Sequence, residues 1–557
     1  MHHRILLNRL TVAQIRSNSQ NDEALNQWGD REKDIPISLK IGEHVNRRQF
    51  VFASASSALL TGTTFAIDSV AMDPAFENPS ARQELANDLL RPQYHVLPQA
   101  GFVGDPCAPR FFGDKYHVFF HGSFGGRGWQ HAVSSDLVHW DHMPIALSPT
   151  ENGYDSYGTF TGGVMPGGEG ASIVYTGVTK VSREQETIRA EGLRETQCIA
   201  TSTDPDLRQF KKLPAPVIAG PPPGMLVTGF RDPFGWKSGD TWYMGVGSGF
   251  PQVGGAVLLY RSKDMLHWEY VHPLAQGTWN GQSFSNPVPS GEMWECPDFF
   301  PLGDRHVLIY STEHATFWEV GMFDELELRF HSESRGILDH GAYYAPRSMA
   351  DGNGRRILWG WVQETRPRGE ATQAGWSGCI SLPRVLTLSD DRKLQIEAAP
   401  ELEMLRQSKV STENPMPTAS DAAINLGRIR ERAGEIICKF RASADPCTLE
   451  LQSKGQSGTQ SLLRIAFSYA NGKPMAAIGD RLLPLSPDAD HISTIHIWLD
   501  GSVVESFLDK RQAITTRCYE PATQAGEVEV TWSGSPGQLK DYSIFQLRPI
   551  SSDRLTS

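Results

Sequence analysis

The sequence lacks the cysteine and charge patterns that mark several classes of protein. Its seven cysteines are scattered and none stands in a CxxC spacing, which argues against a zinc site, a redox dithiol or a disulfide framework. At most one or two pairs could form after export, and Cys438 with Cys447 is the nearest candidate. Lys and Arg form no block beyond one pair near the start, and the net charge is −12, so neither nucleic acid nor an anionic membrane is an expected partner.

Long hydrophobic runs are also absent, and the one short run has the features of a targeting signal. Arg47 and Arg48 precede an uncharged run of small and apolar residues over 51–66, and Ser69-Val70-Ala71 then forms a small-x-small cleavage site. This pattern predicts a signal peptide of the twin-arginine type, and therefore a bacterial periplasmic or extracellular protein. Residues 1–71 are assigned to an N-terminal extension with this signal, and residues 72–90 to a linker.

Helical periodicity is nearly absent between residues 91 and 385, where short apolar strands alternate with Gly, Asp and Pro turns. A turn phrase recurs, since Ser135 to Trp140 returns as Lys263 to Trp268, with weaker echoes ending at Phe210 and Phe330. Its period of roughly 60 to 70 residues is typical of propeller blades, and five blades fit the available length. We interpret each phrase as a turn capped by Asp above a packed aromatic ring, and therefore as scaffold.

The pattern of apolar and polar residues changes after Pro383. Residues 386–409, which include a short helical stretch near Pro400, are predicted to link two domains. Clean alternation of apolar and polar residues over 410–557 predicts an antiparallel β-sandwich. The fold class is therefore all-β: a five-bladed β-propeller over 91–385 followed by a C-terminal β-sandwich that supports it.

Three acidic residues stand in unusual local contexts. Asp105 precedes Pro106 in a glycine-containing stretch, and Asp232 lies between Arg231 and a proline. Glu295 is flanked by Trp294 and a cysteine, where desolvation is expected to favour its protonated form. One ionised and one protonated carboxyl are what glycoside hydrolysis with retention requires. Each Asp-Pro taken alone is more typical of a turn, so the hypothesis depends on the three together.

Together these motifs resemble glycoside hydrolase family 32, the invertase, inulinase and levanase group. The resemblance runs from about Arg91 to the C-terminus. It is carried by Tyr94-His95, Trp129 to Ser148, Gly158-Thr159-Phe160-Thr161-Gly162, Arg231-Asp232-Pro233, Trp294-Glu295-Cys296-Pro297-Asp298, Trp376-Ser377-Gly378, Leu382-Pro383-Arg384 and Asp500 to Phe507.

The resemblance implies a role for each acid. Asp105 would attack the anomeric carbon of a fructosyl unit, Glu295 would act as acid and then base, and Asp232 would hold ring hydroxyls. No cofactor or metal is expected, and the expected ligands are sucrose and fructans. Residues expected to bind substrate are Arg231, which would orient Asp232 or the sugar, and His121, Trp129, Phe160, Thr161 and Trp376. Core packing is an equal alternative for Trp129, Phe160 and Trp376.

The sequence departs from the family around the nucleophile. Gly104 and Cys107 stand where the family usually has asparagine, and His121 stands where Gln is common. The leading hypothesis is a hydrolase that releases fructose from sucrose or β-fructans, and two alternatives stand beside it. One is a fructosyltransferase with the same three carboxylates, because the Gly-Asp-Pro-Cys form around Asp105 resembles that of some fungal fructosyltransferases and invertases. The other is a catalytically silent sugar-binding propeller, which the survival of all three carboxylates disfavours.

Overall fold

The computed structural model describes residues 79–167, 170–188, 192–279, 291–312, 314–412, 423–455, 458–519 and 526–555. The predicted signal peptide therefore lies outside the described residues. A short helix α1 (Pro79–Asn87) leads into the first of seven β-sheets. None of the helices in the described part of the chain is long and apolar enough to span a membrane.

Five of the sheets are the blades of a propeller. Each blade is built mainly from four antiparallel strands that follow one another in the chain, so that neighbours in sequence pair in space. Blade 1 contains β1 (Gly101–Phe112), β2 (Lys115–Gly122), β3 (Gly128–Ser134) and β4 (Asp141–Leu147). Blade 2 contains β5 (Gly158–Met165), β6 (Ala171–Lys180), β7 (Leu193–Ser202) and β8 (Lys211–Lys212), with a 3₁₀ turn at Arg183–Gln185. Blade 3 contains β9 (Phe230–Ser238), β10 (Thr241–Phe250), β11 (Gly254–Ser262) and β12 (Glu269–Gln276). Blade 4 contains β13 (Glu295–Leu302), β14 (Arg305–Thr312), β15 (Ala315–Asp324) and β16 (Arg329–Asp339).

Blade 5 is less regular and completes the ring. It contains β17 (Tyr343–Ala350), β18 (Arg356–Val362), β20 (Cys379–Ile380), β21 (Arg384–Leu388) and β22 (Leu394–Ala398). Helix α2 (Arg368–Ala374) precedes β19 (Trp376–Ser377), which leaves blade 5 and pairs in parallel with β1. The inner strands contact one another in the order β1, β5, β9, β13 and β17, and β17 contacts β1. The ring of five blades is thus closed, and the inner strands surround its axis.

The recurring aromatic phrases mark the turn between the third and fourth strands of blades 1 to 4. In blade 1, Asp136 Oδ1 accepts hydrogen bonds from the backbone N–H groups of Val138 and His139 at 2.9 and 2.8 Å. Asp264 accepts the equivalent pair in blade 3. One residue of each turn takes a positive φ, and these residues are Leu137, Leu207, Met265 and Leu328. The interpretation of these phrases as capped turns is confirmed.

Two six-stranded sheets form the sandwich, and Phe440, Phe467 and Trp532 stack in its core. One sheet contains β23 (Arg406–Lys409), β25 (Ala433–Phe440), β30 (Ser493–Asp500), β31 (Val503–Leu508), β32 (Gln512–Arg517) and β34 (Leu539–Leu547). The other contains β24 (Ile424–Ile429), β26 (Cys447–Gly455), β27 (Gly458–Ala470), β28 (Lys473–Ile478), β29 (Arg481–Pro484) and β33 (Val528–Ser533). The predicted five-bladed propeller and sandwich are confirmed.

The linker predicted over 386–409 is wrong. Strands β21 and β22 within it complete blade 5, a 3₁₀ helix occupies Pro400–Leu405, and β23 already pairs with β34 of the sandwich. Propeller and sandwich therefore follow each other almost without a gap. Their contact includes a buried cluster in which Trp318 and Tyr343 from the propeller pack with Trp498 and Phe507 from the sandwich.

Cys438 and Cys447, the nearest candidates for a disulfide, are not joined. All seven cysteines are buried and free. Cys438 lies on β25 of one sheet and Cys447 on β26 of the other, where both behave as small apolar core residues.

Candidate active site

The three predicted carboxylates lie on three different inner strands and converge at one end of the propeller axis. Thr161 Oγ1 on β5 donates a hydrogen bond to Asp105 Oδ2 at 2.8 Å. The backbone N–H of Cys296 donates to Asp232 Oδ2 at 3.0 Å. The Cys296 sulfur lies 3.8 Å from the same oxygen of Asp105 and 3.5 Å from that of Asp232. Asp105 and Asp232 thus face each other across Cys296, and both are nearly inaccessible to solvent.

Glu295 is held by two donors. Arg231 Nη2 donates to Glu295 Oε1 at 2.9 Å, and the Tyr344 hydroxyl donates to Oε2 at 2.7 Å. The prediction of apolar surroundings for Glu295 is therefore wrong, because a guanidinium and a hydroxyl contact its two oxygens. The ring of the adjacent Trp294 stacks on Tyr310, with ring centroids 3.9 Å apart.

Arg231 has a different partner from the one expected. Its Nε is 4.0 Å from Asp232, whereas its Nη1 lies 3.1 Å from the fully buried Glu195 on β7. Glu195 also accepts a hydrogen bond from the backbone N–H of Phe230 at 2.6 Å, which fixes the carboxylate. Arg231 is therefore an ion-pair bridge between Glu195 and Glu295, with a weaker contact to Asp232.

Irregular backbone puts these side chains on one side of their strands. Side chains of a regular strand alternate between its faces, so adjacent residues cannot both face the axis. Each inner strand has a shift in pairing register at the site, for example between Glu295 and Asp298 on β13. Asp232 and Cys296 have φ angles of 59° and 47°, which are uncommon for residues other than glycine. The bulges let Arg231 and Asp232 point inward together, and such irregularities concentrate beside active sites.

The residues predicted to bind substrate divide into two groups. Thr161 contacts Asp105, and Phe160 beside it on β5 retains 9% of its surface. Trp129 and Trp376 are 0% and 1% exposed, which favours the alternative that both rings pack in the core. Trp129 packs edge-on against Tyr175 with centroids 6.3 Å apart. Trp376 Nε1 donates to Asp88 Oδ2 at 2.7 Å, which anchors the segment after α1.

The two departures around the nucleophile have packing roles. A Cβ added at Gly104 would lie 3.0 Å from the Phe102 ring and 3.3 Å from the Cβ of His121. The absence of a Cβ at Gly104 therefore lets Phe102 and His121 pack closely beside Asp105. Cys107 is fully buried in a cluster that also contains Phe119, and burial raises the pKa of its thiol.

Several residues of the site were not found from the sequence. Glu195, Thr176 and Tyr344 come from strands far away in the chain, and Thr176 Oγ1 accepts a hydrogen bond from the Asp232 N–H at 2.9 Å. Arg194 precedes Glu195 on β7, and Thr196 and Gln197 follow it, so no local pattern distinguished Glu195 in the sequence. Nothing about Tyr344 in the sequence distinguishes it from the neighbouring Tyr343. Within the described ranges, no group of three or more His, Cys, Asp and Glu side chains is arranged to hold a metal ion.

Comparisons with known proteins agree with this geometry. Residues 95–400 match the glycosyl hydrolases family 32 N-terminal domain, and residues 401–546 match the family 32 C-terminal domain. The chain belongs to glycosyl hydrolase family 32. Its relatives in this family include a sucrose-6-phosphate hydrolase of Escherichia coli, which is 31% identical over 85% of this chain and 98% of its own length. A raffinose invertase of Escherichia coli is 30% identical over the same shares of the two chains.

A solved family 32 structure has the same architecture. The family 32 β-fructofuranosidase of Bombyx mori is 25% identical and superimposes with a TM-score of 0.68, covering 85% of this chain and 97% of its own. The two-domain arrangement of propeller and sandwich is thus that of a family 32 glycoside hydrolase.

Proposed function

We propose that this glycoside hydrolase releases fructose from sucrose and β-fructans with retention, through a covalent fructosyl-enzyme intermediate. The observation that carries the proposal is the convergence of Asp105 and Asp232 on Cys296, beside a Glu295 that is fixed at both oxygens. Family membership and the names of the relatives support the substrate class.

Asp105 is the nucleophile in this proposal. One of its oxygens attacks the anomeric carbon of the fructosyl unit, and the bond from that carbon to the leaving oxygen breaks with its electron pair. The hydrogen bond from Thr161 to Oδ2 fixes the rotation of the carboxylate. Because Asp105 is nearly buried, few water molecules compete with the substrate for it.

Glu295 transfers the protons. It protonates the departing oxygen in the first step, then takes a proton from the water that attacks the fructosyl ester. Tyr344 and Arg231 hold its two oxygens from different sides, so the carboxyl group has a defined position before substrate arrives.

Asp232 stabilises the positive charge that develops on the sugar ring. Its carboxylate accepts a hydrogen bond from the backbone N–H of Cys296, and in this proposal it also accepts hydrogen bonds from hydroxyl groups of the sugar ring. Hydrogen bonds to an ionised acceptor are about twice as strong as neutral ones, and they contribute to catalysis when they strengthen in the transition state.

The test is sugar release by the purified chain from sucrose, sucrose 6-phosphate, inulin and levan. Asp105→Asn should abolish turnover, whereas Asp240→Asn, at an exposed hairpin turn, should leave it unchanged. Nuclear magnetic resonance of the first fructose released should show the retained anomer. Binding without turnover by the folded wild-type chain would instead indicate the silent sugar-binding propeller.

The fructosyltransferase alternative gains no support from Cys107. Its side chain is buried on the core side of β1, so it does not form a wall for an acceptor sugar. The same assay decides between the two reactions, because a hydrolase yields mainly free fructose and a transferase yields longer oligosaccharides.

We also propose that the protein is exported. The support is the twin arginine, the short apolar run and the small-x-small site, all of which precede the family match that begins at residue 95. N-terminal sequencing of protein from the periplasm or medium should find a mature chain beginning near Met72, and replacing Arg47 and Arg48 by Lys should retain it in the cytoplasm. A full-length chain in the cytoplasmic fraction of the wild type would contradict export.

A further inference from the structure

A cavity lies among the five inner strands of the propeller, beyond the carboxylates. Its volume is about 350 Å³, and its walls come from all five inner strands a few residues after the site positions. Three arginines line it, Arg110, Arg347 and Arg356, against a single carboxylate, that of Asp298. The cavity therefore has an excess of positive charge, in contrast to the three carboxylates at the other end of the axis.

Arg347 is the innermost of the three arginines and is only 1% exposed. Its Nη1 and Nη2 donate to the backbone carbonyls of Pro297 and Asp232, and its Nε has no hydrogen-bond partner among the described residues. Carbonyl groups are neutral, so these contacts satisfy N–H groups but supply no counter-charge. Burial of a cation is costly unless a negative charge compensates it.

Arg110 and Arg356 add two further cations to the cavity wall, and Arg356 is the better satisfied of the two, because its Nε donates to Ser348 Oγ at 2.7 Å. Desolvation lowers the pKa of each guanidinium to about 10, so both are still cationic at neutral pH. Arg110 Nε is buried and has no hydrogen-bond partner in the described part of the chain. Arg356 is 3.7 Å from Asp298 Oδ1, but Asp298 Oδ2 is already engaged by the backbone N–H and the hydroxyl of Ser348.

We propose that this cavity binds a small oxyanion, a phosphate or a carboxylate. The two unpartnered N–H groups and the three guanidinium charges are the donors that phosphate and carboxylate oxygens need. Phe111, Phe234, Trp236 and Phe300 supply apolar walls, so a short organic body attached to the anionic group also fits. The volume is in the range of small-molecule sites.

Arg347 connects this anion site to the carboxylates, because the same guanidinium donates to the carbonyl oxygen of Asp232. An anion that draws Arg347 toward the cavity changes that hydrogen bond. Occupancy should therefore change kcat without competing with substrate for the catalytic end of the axis.

The probe is inorganic phosphate, with benzoate as a carboxylate and chloride as the ionic-strength control. Isothermal titration of the full-length mature chain should show one site per chain. Since charge-assisted hydrogen bonds are lost, Arg110→Gln and Arg356→Gln should each weaken binding by about tenfold or more. Arg208→Gln, at an exposed turn outside the cavity, should bind as the wild type does. Tighter binding of phosphate would identify a phosphate site, and tighter binding of benzoate would identify a site for an organic acid.

Three results would overturn the proposal. The first is no binding of either anion at about 10 mM, a concentration at which even millimolar affinity is visible. The second is binding that both cavity variants retain. The third is inhibition by phosphate that is purely competitive with sucrose, since it would place the anion at the catalytic end. Direct titration does not depend on turnover, so failure of the proposed activity would leave this test intact.

Discussion

Arg231 joins two carboxylates of different blades: its Nη2 lies 2.9 Å from Oε1 of Glu295, and its Nη1 lies 3.1 Å from Oε1 of Glu195. Glu195 is fully buried, so removal of either partner leaves an uncompensated charge in the core. The position of the proposed acid and base therefore depends on a carboxylate that does not touch the substrate.

Glu195→Gln should lower kcat/KM by roughly 10- to 100-fold, because Arg231 loses one of its two charged anchors and Glu295 loses its fixed position. Steady-state kinetics on sucrose measure this. Glu269→Gln, which breaks an exposed ion pair with Arg261, is the matched control and should leave kcat/KM unchanged. An unchanged kcat/KM in the folded Glu195 variant would show that Arg231 needs no support from blade 2.

Tyr344→Phe should lower kcat by roughly 10- to 100-fold with a small change in KM, because a hydrogen bond to a charged group contributes about 1.5–3 kcal/mol. The ring and its packing are retained, so thermal unfolding should occur near the wild-type temperature. Tyr343→Phe alters the neighbouring tyrosine, which faces the junction with the sandwich, and should leave kcat unchanged. Equal losses in the two variants would refute a specific role for the Tyr344 hydroxyl.

Trp376→Phe should destabilise the fold by about 1–3 kcal/mol while KM stays within twofold, because the indole lies in the core and its lost hydrogen bond is to Asp88. Phe160→Leu should show the reverse pattern, with a raised KM and a small change in stability. Differential scanning calorimetry and steady-state kinetics separate the two. A KM that rises for Trp376→Phe alone would restore this tryptophan as a pocket wall.

The junction between propeller and sandwich should make stability depend on pH. Burial lowers the pKa of His95, but hydrogen bonds with Asp500 and Glu505 outweigh it and raise the pKa above 6.5. Burial raises the pKa of Glu505, but Arg384 and His95 outweigh it and hold the pKa below 4.5. The His95 contribution is complete below its unfolded pKa and is lost as pH rises through the raised value. The Glu505 contribution is complete above its unfolded pKa and is lost as pH falls through the lowered value.

The free energy of unfolding contributed by this network should therefore be greatest at roughly pH 4.5–6.5. Glu505→Gln should cost about 3–5 kcal/mol, because Arg384 is buried beside it, and should weaken the pH dependence. Glu397→Gln, at an exposed pair with Lys510, is the control. If the free energy of unfolding changed with pH in the same way in wild type and in Glu505→Gln, this network would not be the cause of the pH dependence.

The seven thiols should be unreactive in the native protein and all reactive after denaturation. All are buried and free, and burial raises the pKa of Cys198, Cys379 and Cys447 to about 12, which suppresses the thiolate. Titration with a thiol reagent should count none before and seven after unfolding in denaturant. A reductant should leave the unfolding temperature unchanged, whereas a fall would reveal a disulfide.

Features encoded by neighbouring residues could be predicted from the sequence. The capped turns and the three carboxylates each have a local signature, and the spacing of the turns predicted the number of blades. The end of blade 5 could not be located in this way, because β21 and β22 are only 5 residues long each and no turn phrase of the kind seen in blades 1 to 4 stands between them. The boundary between propeller and sandwich is evident only from strand pairing in the structure, since β18 pairs with β21.

Contacts between blades were beyond sequence reasoning. Glu195 lies 36 residues before Arg231 in the chain, and Tyr344 lies 49 residues after Glu295. The burial of Trp129 and Trp376 was equally hidden, because an aromatic residue beside a site motif suits both a sugar platform and a core. Only the exposed fraction of these two side chains in the structure distinguishes a sugar platform from a core position.

The parallel pairing of β19 with β1 has a consequence for the order of assembly during synthesis. Gly101 and Phe102 at the start of the first blade pair with Trp376 and Ser377, and the N–H groups of residues 93–95 are satisfied by Asp500. The N-terminal part of the folded region therefore cannot complete its hydrogen bonds until nearly the whole chain has left the ribosome. Truncated products would retain an open ring and expose the edge of β1, so the propeller closes only after synthesis of the sandwich is nearly complete.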